Sequence, residues 1–311
     1  MSASLPFDGS PTRTDWLFAS LLAWNQIANA TAEAVSMFAA IGEGDTQLYP
    51  ATRFQPPMIT YINDDIIIVS VAGTGTAIQW VLNILGSAQV ETDPLPGQQS
   101  VFFGYAGLSR FGYVQSWIAE NATDHRIVFL GHSLGGALAQ VMTAAQIGAG
   151  PPVDGCYVLG APRVGDPSFA ASIGSVVWRL EDTDDPIVTV PPTIWAGPGS
   201  IYPIPGPPPA ATYQHAGLAT TMDSSGVFSA GSFPISTLAA AAQILTFSAP
   251  THLASEYTRR LRQQWGGPLY LTPGAFGYAA PAVLLEAYDN AGPGIYAELA
   301  NAFCVTHCGY R

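Results

Sequence analysis

Hydrophobic and polar positions change their spacing several times along the chain, and each change marks a predicted element. Residues 66–72, "IIIVSVA", form a nearly continuous apolar run of strand length, the pattern of a strand buried on both faces. Residues 127–131, 156–160 and 176–180 read the same way. Helix-spaced stretches alternate with them at residues 19–40, 108–120 and 137–147. After Pro250, "THLASEYTRRLRQQW" reads as a charged helix at the solvent edge. This alternation predicts an α/β fold with a mostly parallel central sheet flanked by helices. The proline-rich stretch at 190–210 cannot be regular structure, because proline fixes φ and removes a donor. In a chain of 311 residues, which suits one large domain, it reads as a surface loop at the mouth of a site. No internal repeat is visible.

Composition narrows the partners. The formal charge is −12, there is no lysine, and the ten basic residues are scattered arginines, so a nucleic-acid surface or an anionic membrane face is not expected. Only 10% of residues are charged, which leaves apolar atoms on the surface and favours an apolar or interfacial ligand. Residues 66–90 carry no charge, yet Gly73, Gly75, Gln79, Asn83 and Gly86 argue against a membrane span, and no stable insertion is expected. The first 16 residues lack a basic segment followed by an apolar run, so no signal peptide is read there; location stays open, and export fits if the sequence is trimmed. Cys156, inside an apolar run, reads as an inert core thiol. Cys304 and Cys308 flank His307 and are compatible with a terminal disulfide, but supply too few ligands for zinc, so no metal is expected.

The most informative stretch is "IVFLGHSLGGALAQ". A serine hydroxyl is a poor nucleophile and must be exposed and held near a base. Gly131-His132-Ser133-Leu134-Gly135 is G-x-S-x-G, with a strand pattern before it and a helix pattern after it, the nucleophile elbow of a strand-to-helix turn. Ser133 is therefore the candidate nucleophile. The backbone N–H of Leu134, the next residue, is the candidate oxyanion donor.

With that segment in view, the chain resembles the class 3 (fungal-type) lipases of the α/β-hydrolase fold, which carry "GHSLGGALA" at the elbow. Further segments agree in order: "VAGTGTAIQW", "FFGYAG", "GAPRVGDPSFA", "DTDDPIVTVPP" and "YQHAG". Two departures stand out: the histidine of the family's H-x-G-F segment is Phe102 or Phe103 here, and Ala72 stands where an arginine or larger residue is frequent. The resemblance is strongest over about 60–260, within a single α/β-hydrolase domain spanning 1–311, with 1–50 and 262–311 as peripheral extensions.

The resemblance implies roles for further residues. Chain order in the fold is Ser, acid, His, which leaves His215, His252 and His307 as bases. His252, in a segment similar to the family's H-x-x-x-x-Y, is the expected base; His215, in "YQHAG", reads as a buried histidine bonded to backbone. Aligning the trailing "VPP" makes Asp185 the expected acid, with Asp184 the alternative. Thr74 would supply the second oxyanion donor. The family carries its lid next, where Ile78, Val81, Leu82 and Leu85 would form the apolar face of a helix after the oxyanion strand. The implied function is a carboxylic ester hydrolase of lipase type, acting on acylglycerols at an oil–water interface through a Ser-His-Asp triad, without cofactor. The same machinery on a phospholipid, feruloyl ester or polyester, or a non-catalytic binding relative, are the alternatives.

Overall fold

The fold begins at a helix start that hydrophobic spacing alone does not reveal. Thr12 and Asp15 cap each other reciprocally: the Asp15 carboxylate accepts the Thr12 N–H at 2.7 Å, and the Asp15 N–H donates to Thr12 Oγ1 at 3.2 Å. The helix therefore runs Arg13–Ile27 (α1), starting six residues earlier than the apolar pattern implied. The expected single helix over 19–40 is instead α1 followed by the separate helix Thr31–Met37 (α2). The computed structural model describes residues 7–27, 31–50, 56–73, 89–91, 100–102, 111–191, 194–195, 211–231 and 250–264.

Asp45–Tyr49 (β1), Met58–Ile62 (β2) and Ile66–Val71 (β3) follow, then the short pair Gln89–Glu91 (β4) and Ser100–Phe102 (β5). Next come helix Phe111–Asn121 (α3), strand Arg126–His132 (β6), helix Leu134–Ala149 (α4), strand Gly155–Leu159 (β7), helix Pro167–Ile173 (α5) and strand Val177–Asp182 (β8). Ile194–Trp195 (β9) pairs with Ala211–Thr212 (β10); Leu218–Met222 (β11), Phe228–Ala230 (β12) and helix Ala254–Gln263 (α6) complete the described elements.

Eight strands form one sheet in the order β1-β2-β3-β6-β7-β8-β11-β12. Neighbours from β3 through β11 pair in parallel, while β1, β2 and β12 add antiparallel edges. Every residue of β3 is buried, as expected of a strand covered on both faces. Its alternation divides two cores. Ile67 and Val69 face Ile127, Phe129 and the helices α3, α4 and α5; Ile66 and Ile68 face Val128, Leu130 and residues of α1, α2 and α6. Each fully buried aliphatic side chain of this kind contributes about 1.5–3 kcal/mol, so the central strands hold their register firmly.

Helix α6, expected at the solvent edge, is a correction: Tyr257, Thr258, Arg260 and Leu261 are buried along one side, against α1. The charge of Arg260 is met by ion pairs with Asp182 and Glu256 rather than by water. Arg13 ties the two helices together by donating to the Leu261 and Gly226 carbonyls at 3.1 and 2.9 Å. No helix among the described residues is long and apolar enough to cross a membrane.

Asp15 also accepts the Phe7 N–H at 2.9 Å, so one carboxylate fixes the helix start and the segment before it. Asp15→Ala is expected to cost about 2 kcal/mol, because it strands buried N–H donors as well as removing bonds. A urea unfolding midpoint compared with Asp15→Asn measures it.

Candidate active site

Strand β6 ends at His132 and helix α4 starts at Leu134, so the whole reversal is made at one residue. Ser133 has φ +57° and ψ −124°, a region costly for any side chain, which holds only when its surroundings impose it. They do so in two ways. The Ser133 N–H donates to the Leu159 carbonyl at 2.9 Å, pinning the turn to β7. The helix then crosses so closely that a Cβ on Gly131 would lie 2.3 Å from the Gly135 backbone, and one on Gly135 would lie 2.0 Å from the Val71 carbonyl oxygen. Glycine at both positions is what permits the turn.

The turn brings Ser133 to a histidine 119 residues away: His252 Nε2 lies 2.6 Å from Ser133 Oγ. His252 ends a short 3-10 turn, Pro250–His252, just before α6. Its Nδ1 donates to the Asp185 carboxylate, with Oδ1 and Oδ2 at 3.0 and 2.8 Å. Asp185 follows β8 and opens the 3-10 turn Pro186–Thr189, where its Oδ1 accepts the Ile187 N–H at 2.8 Å. Ser133, His252 and Asp185 are all buried, at 7%, 3% and 0% exposure, so their contacts sit in a low local dielectric.

Asp184, the alternative acid, turns the other way. Its carboxylate is half exposed and pairs with Arg260 at 3.1 Å. Arg260 also binds Asp182 at 2.7 Å and Glu256 at 2.8 Å, tying α6 to the acid-bearing loop. Burial pushes the Asp182 carboxyl up to about 7, opposed by hydrogen bonding from the Asp184 N–H and by the Arg260 charge. His215 stands apart from the serine: its Nε2 donates to the Val188 carbonyl at 2.7 Å, and burial holds it well below the ordinary imidazole range, as do Arg179 and Arg163. Arg163, from "GAPRVG", donates to the carbonyls of Thr189 and Pro191, so the segment after Asp185 is tied down at two points.

Leu134 lies at the first position of α4, where main-chain N–H groups have no partner within the helix. Thr74 and the residues of the expected lid, Ile78, Val81, Leu82 and Leu85, lie outside the described residues, as do Cys304 and Cys308. Cys156 is buried and free, its thiol pushed up to about 12 by burial.

Sequence reasoning missed three contributors. Tyr257 donates its hydroxyl to Asp185 Oδ2 at 2.8 Å and accepts the Asp182 N–H at 3.0 Å. Burial and the neighbouring Asp185 and Asp182 carboxylates hold that phenol well above its usual range, so it stays a donor. Its signal was present in the spacing from His252, but without a role attached. Gly160, with φ +56°, leaves room for this pair: a Cβ there would meet Asp185 Oδ2 at 2.8 Å and Tyr257 Oη at 3.0 Å. His132 packs its ring on His252, with centroids 5.0 Å apart.

Residues 68–195 match the model of the family described as Lipase (class 3), a span that runs from β3 through Ser133 and Asp185. Over 145 residues the chain is 30% identical to a secreted mono- and diacylglycerol lipase of Fusarium solani. Over these residues the chain is similar to the class 3 lipases. That alignment takes in 42% of this chain and 40% of the Fusarium protein, so the chain spans about two fifths of the relative's length. Two solved lipases share the fold. A fungal lipase solved in complex with an inhibitor has a TM-score of 0.57 at 17% identity, over 80% of this chain and 95% of that one. Lipase II from Rhizopus niveus has a TM-score of 0.54 at 18% identity, over 78% and 92%. The α/β-hydrolase architecture expected from the sequence is the architecture observed.

Tyr257→Phe is expected to lower kcat for ester hydrolysis about tenfold with little change in KM, since it loosens Asp185 and leaves the Asp182 N–H unpaired. Steady-state kinetics on a soluble ester measures this.

Proposed function

We propose that this class 3 lipase relative is a carboxylic ester hydrolase of lipase type, cleaving acylglycerols by a Ser133–His252–Asp185 triad through an acyl-enzyme. The observation that carries the reading is the continuous relay from serine to imidazole to carboxylate, at 2.6 and 2.8 Å, starting at a left-handed elbow. Chance packing of three buried polar side chains does not supply the strained turn as well.

In the first half-reaction, Ser133 Oγ attacks the ester carbonyl while His252 Nε2 takes its proton. Asp185 accepts the Nδ1–H, fixes the tautomer that leaves Nε2 free, and stabilises the imidazolium. The carbonyl oxygen becomes an oxyanion and receives the Leu134 N–H; the second donor is assigned to Thr74 by family resemblance. Losing one such donor typically raises the barrier by about 3–4 kcal/mol. His252 then returns the proton to the departing alcohol, and water attacks the acyl-enzyme by the same steps in reverse. The chemistry as written uses neither metal ion nor organic cofactor.

The substrate assignment draws on the Fusarium relative, named for mono- and diacylglycerols, and on the sparse charge of the chain. Leu253, next to His252, is 39% exposed, an apolar surface beside the reactive centre that suits an acyl chain. A lid formed by the segment bearing Ile78, Val81, Leu82 and Leu85 belongs to this proposal.

Two experiments test it. A fluorophosphonate probe is expected to label the protein, to fail on Ser133→Ala and to survive Ser100→Ala; with esters, Asp185→Asn should lower kcat by about 10⁴-fold and Asp184→Asn by less than about threefold. Equal losses at the two aspartates would overturn the assignment of the acid. For the lid, hydrolysis of a triglyceride is expected to rise abruptly once the substrate passes its solubility limit, and a smooth saturation curve would overturn it.

A further inference from the structure

Hydrogen bonds at Nδ1 and Nε2 fix an imidazole within its own plane, but they leave tilt about the line joining them to be set by whatever touches its faces. On His252 one face is taken by His132, whose ring lies 5.0 Å away at an interplanar angle of 30°. The same His132 ring holds the His252 main chain, its Nε2 donating to the His252 carbonyl at 2.8 Å. Tyr257, which binds Asp185, meets the His132 ring edge-on at 5.7 Å. One side chain therefore touches the backbone and the ring of the base, and the phenol that holds the acid.

We infer that His132 is a positioning residue for the triad base, a neutral imidazole that clamps His252 through one hydrogen bond and one ring face so that Nε2 stays aimed at Ser133. This rests on the reading of Ser133, His252 and Asp185 as an acyl-transfer triad. Its neutrality follows from its surroundings. Because Nε2 carries the proton given to the His252 carbonyl, Nδ1 holds a lone pair, and it is buried with no hydrogen-bond partner among the described residues. Among the described residues, the groups placed against the ring are His252 from the turn before α6, Tyr257 from α6, and Gly73 just after β3, where a Cβ would lie 3.4 Å from Nδ1. None is a carboxylate, and the Asp185 carboxylate is already occupied by His252, Tyr257 and Ile187. A second proton on His132 would have no acceptor among the described residues and would sit against the imidazolium that His252 becomes during the reaction. Burial and the nearness of His252 act in the same direction, holding His132 well below the ordinary imidazole range. Two stacked imidazoles thus operate as one base and one brace.

Three substitutions separate the contacts. His132→Gln keeps a donor toward the carbonyl, His132→Phe keeps the ring face, and His132→Ala keeps neither. On a soluble ester, with folding checked by thermal unfolding, His132→Ala is expected to lower kcat roughly 30-fold with KM within about twofold. Gln and Phe should each recover part of the loss, and they carry the test if the alanine variant does not fold. The acid limb of kcat should follow one proton in the wild type and in His132→Gln alike. The inference is overturned if kcat is unchanged in all three variants, if the loss appears in KM alone, or if a two-proton limb in the wild type becomes a one-proton limb in His132→Gln. A failure of the parent reading looks different: Ser133→Ala would then hydrolyse the ester as well as the wild type.

Discussion

Everything at this centre depends on one crowded crossing, where α4 leaves β6 over the end of β3. The chain can reverse at Ser133 only because the backbones of Gly131, Gly135 and Val71 approach to distances that no side chain tolerates. The resulting strain, of order 1–3 kcal/mol for a residue in this conformation, is carried by the buried sheet beneath. Because β3, β6 and β7 are covered on both faces, the turn cannot relax by shifting register. The rigidity of the sheet and the presentation of the hydroxyl to His252 are thus one property seen from two sides.

Around that point the other two members are held by different kinds of contact. Asp185 is fixed locally, by the Ile187 N–H within its own turn and by the "DP" sequence that favours such a turn. His252 is fixed at long range, through α6. Arg260 joins that helix to Asp182 and Asp184, and Tyr257 joins it to Asp185. A buried ion pair of this sort adds little net stability, since desolvation offsets attraction, but it specifies one docking position. Such specificity is what a relay with 2.6 Å contacts requires.

These differences explain what could be read from the sequence. The elbow was legible because its chemistry is compressed into five consecutive residues with a strand before and a helix after. The central strands were legible because burial on both faces leaves uniform apolar runs. The outer strands, the pair β1 and β2 on one side of the sheet and β11 and β12 on the other, went unread: β1 is largely exposed, and β11 and β12 mix threonine and serine with apolar residues. The reading of β8 stopped at Leu180, yet the strand continues through Glu181 and Asp182, because Arg179 pairs with Glu181 and Arg260 with Asp182. The same hidden pairing made α6 look like a surface helix. Charge in a sequence signals water unless its partner is known, and Asp182, the partner of Arg260, lies 78 residues away. His132 was overlooked for a related reason: inside the elbow motif it reads as a variable position, and only three dimensions put it against His252.

The contact between α1 and α6 has a consequence for the order of assembly. Arg13 reaches a carbonyl 248 residues later, while the serine turn needs only strands and a helix that lie between residues 66 and 159. During synthesis the alcohol-bearing half can take shape well before the imidazole emerges, and the helix made first must wait, one apolar side bare, for the helix that covers it. The contact between Ser133 and His252 is therefore completed at docking rather than gradually, and a nascent chain carries a shaped turn without its imidazole until that moment.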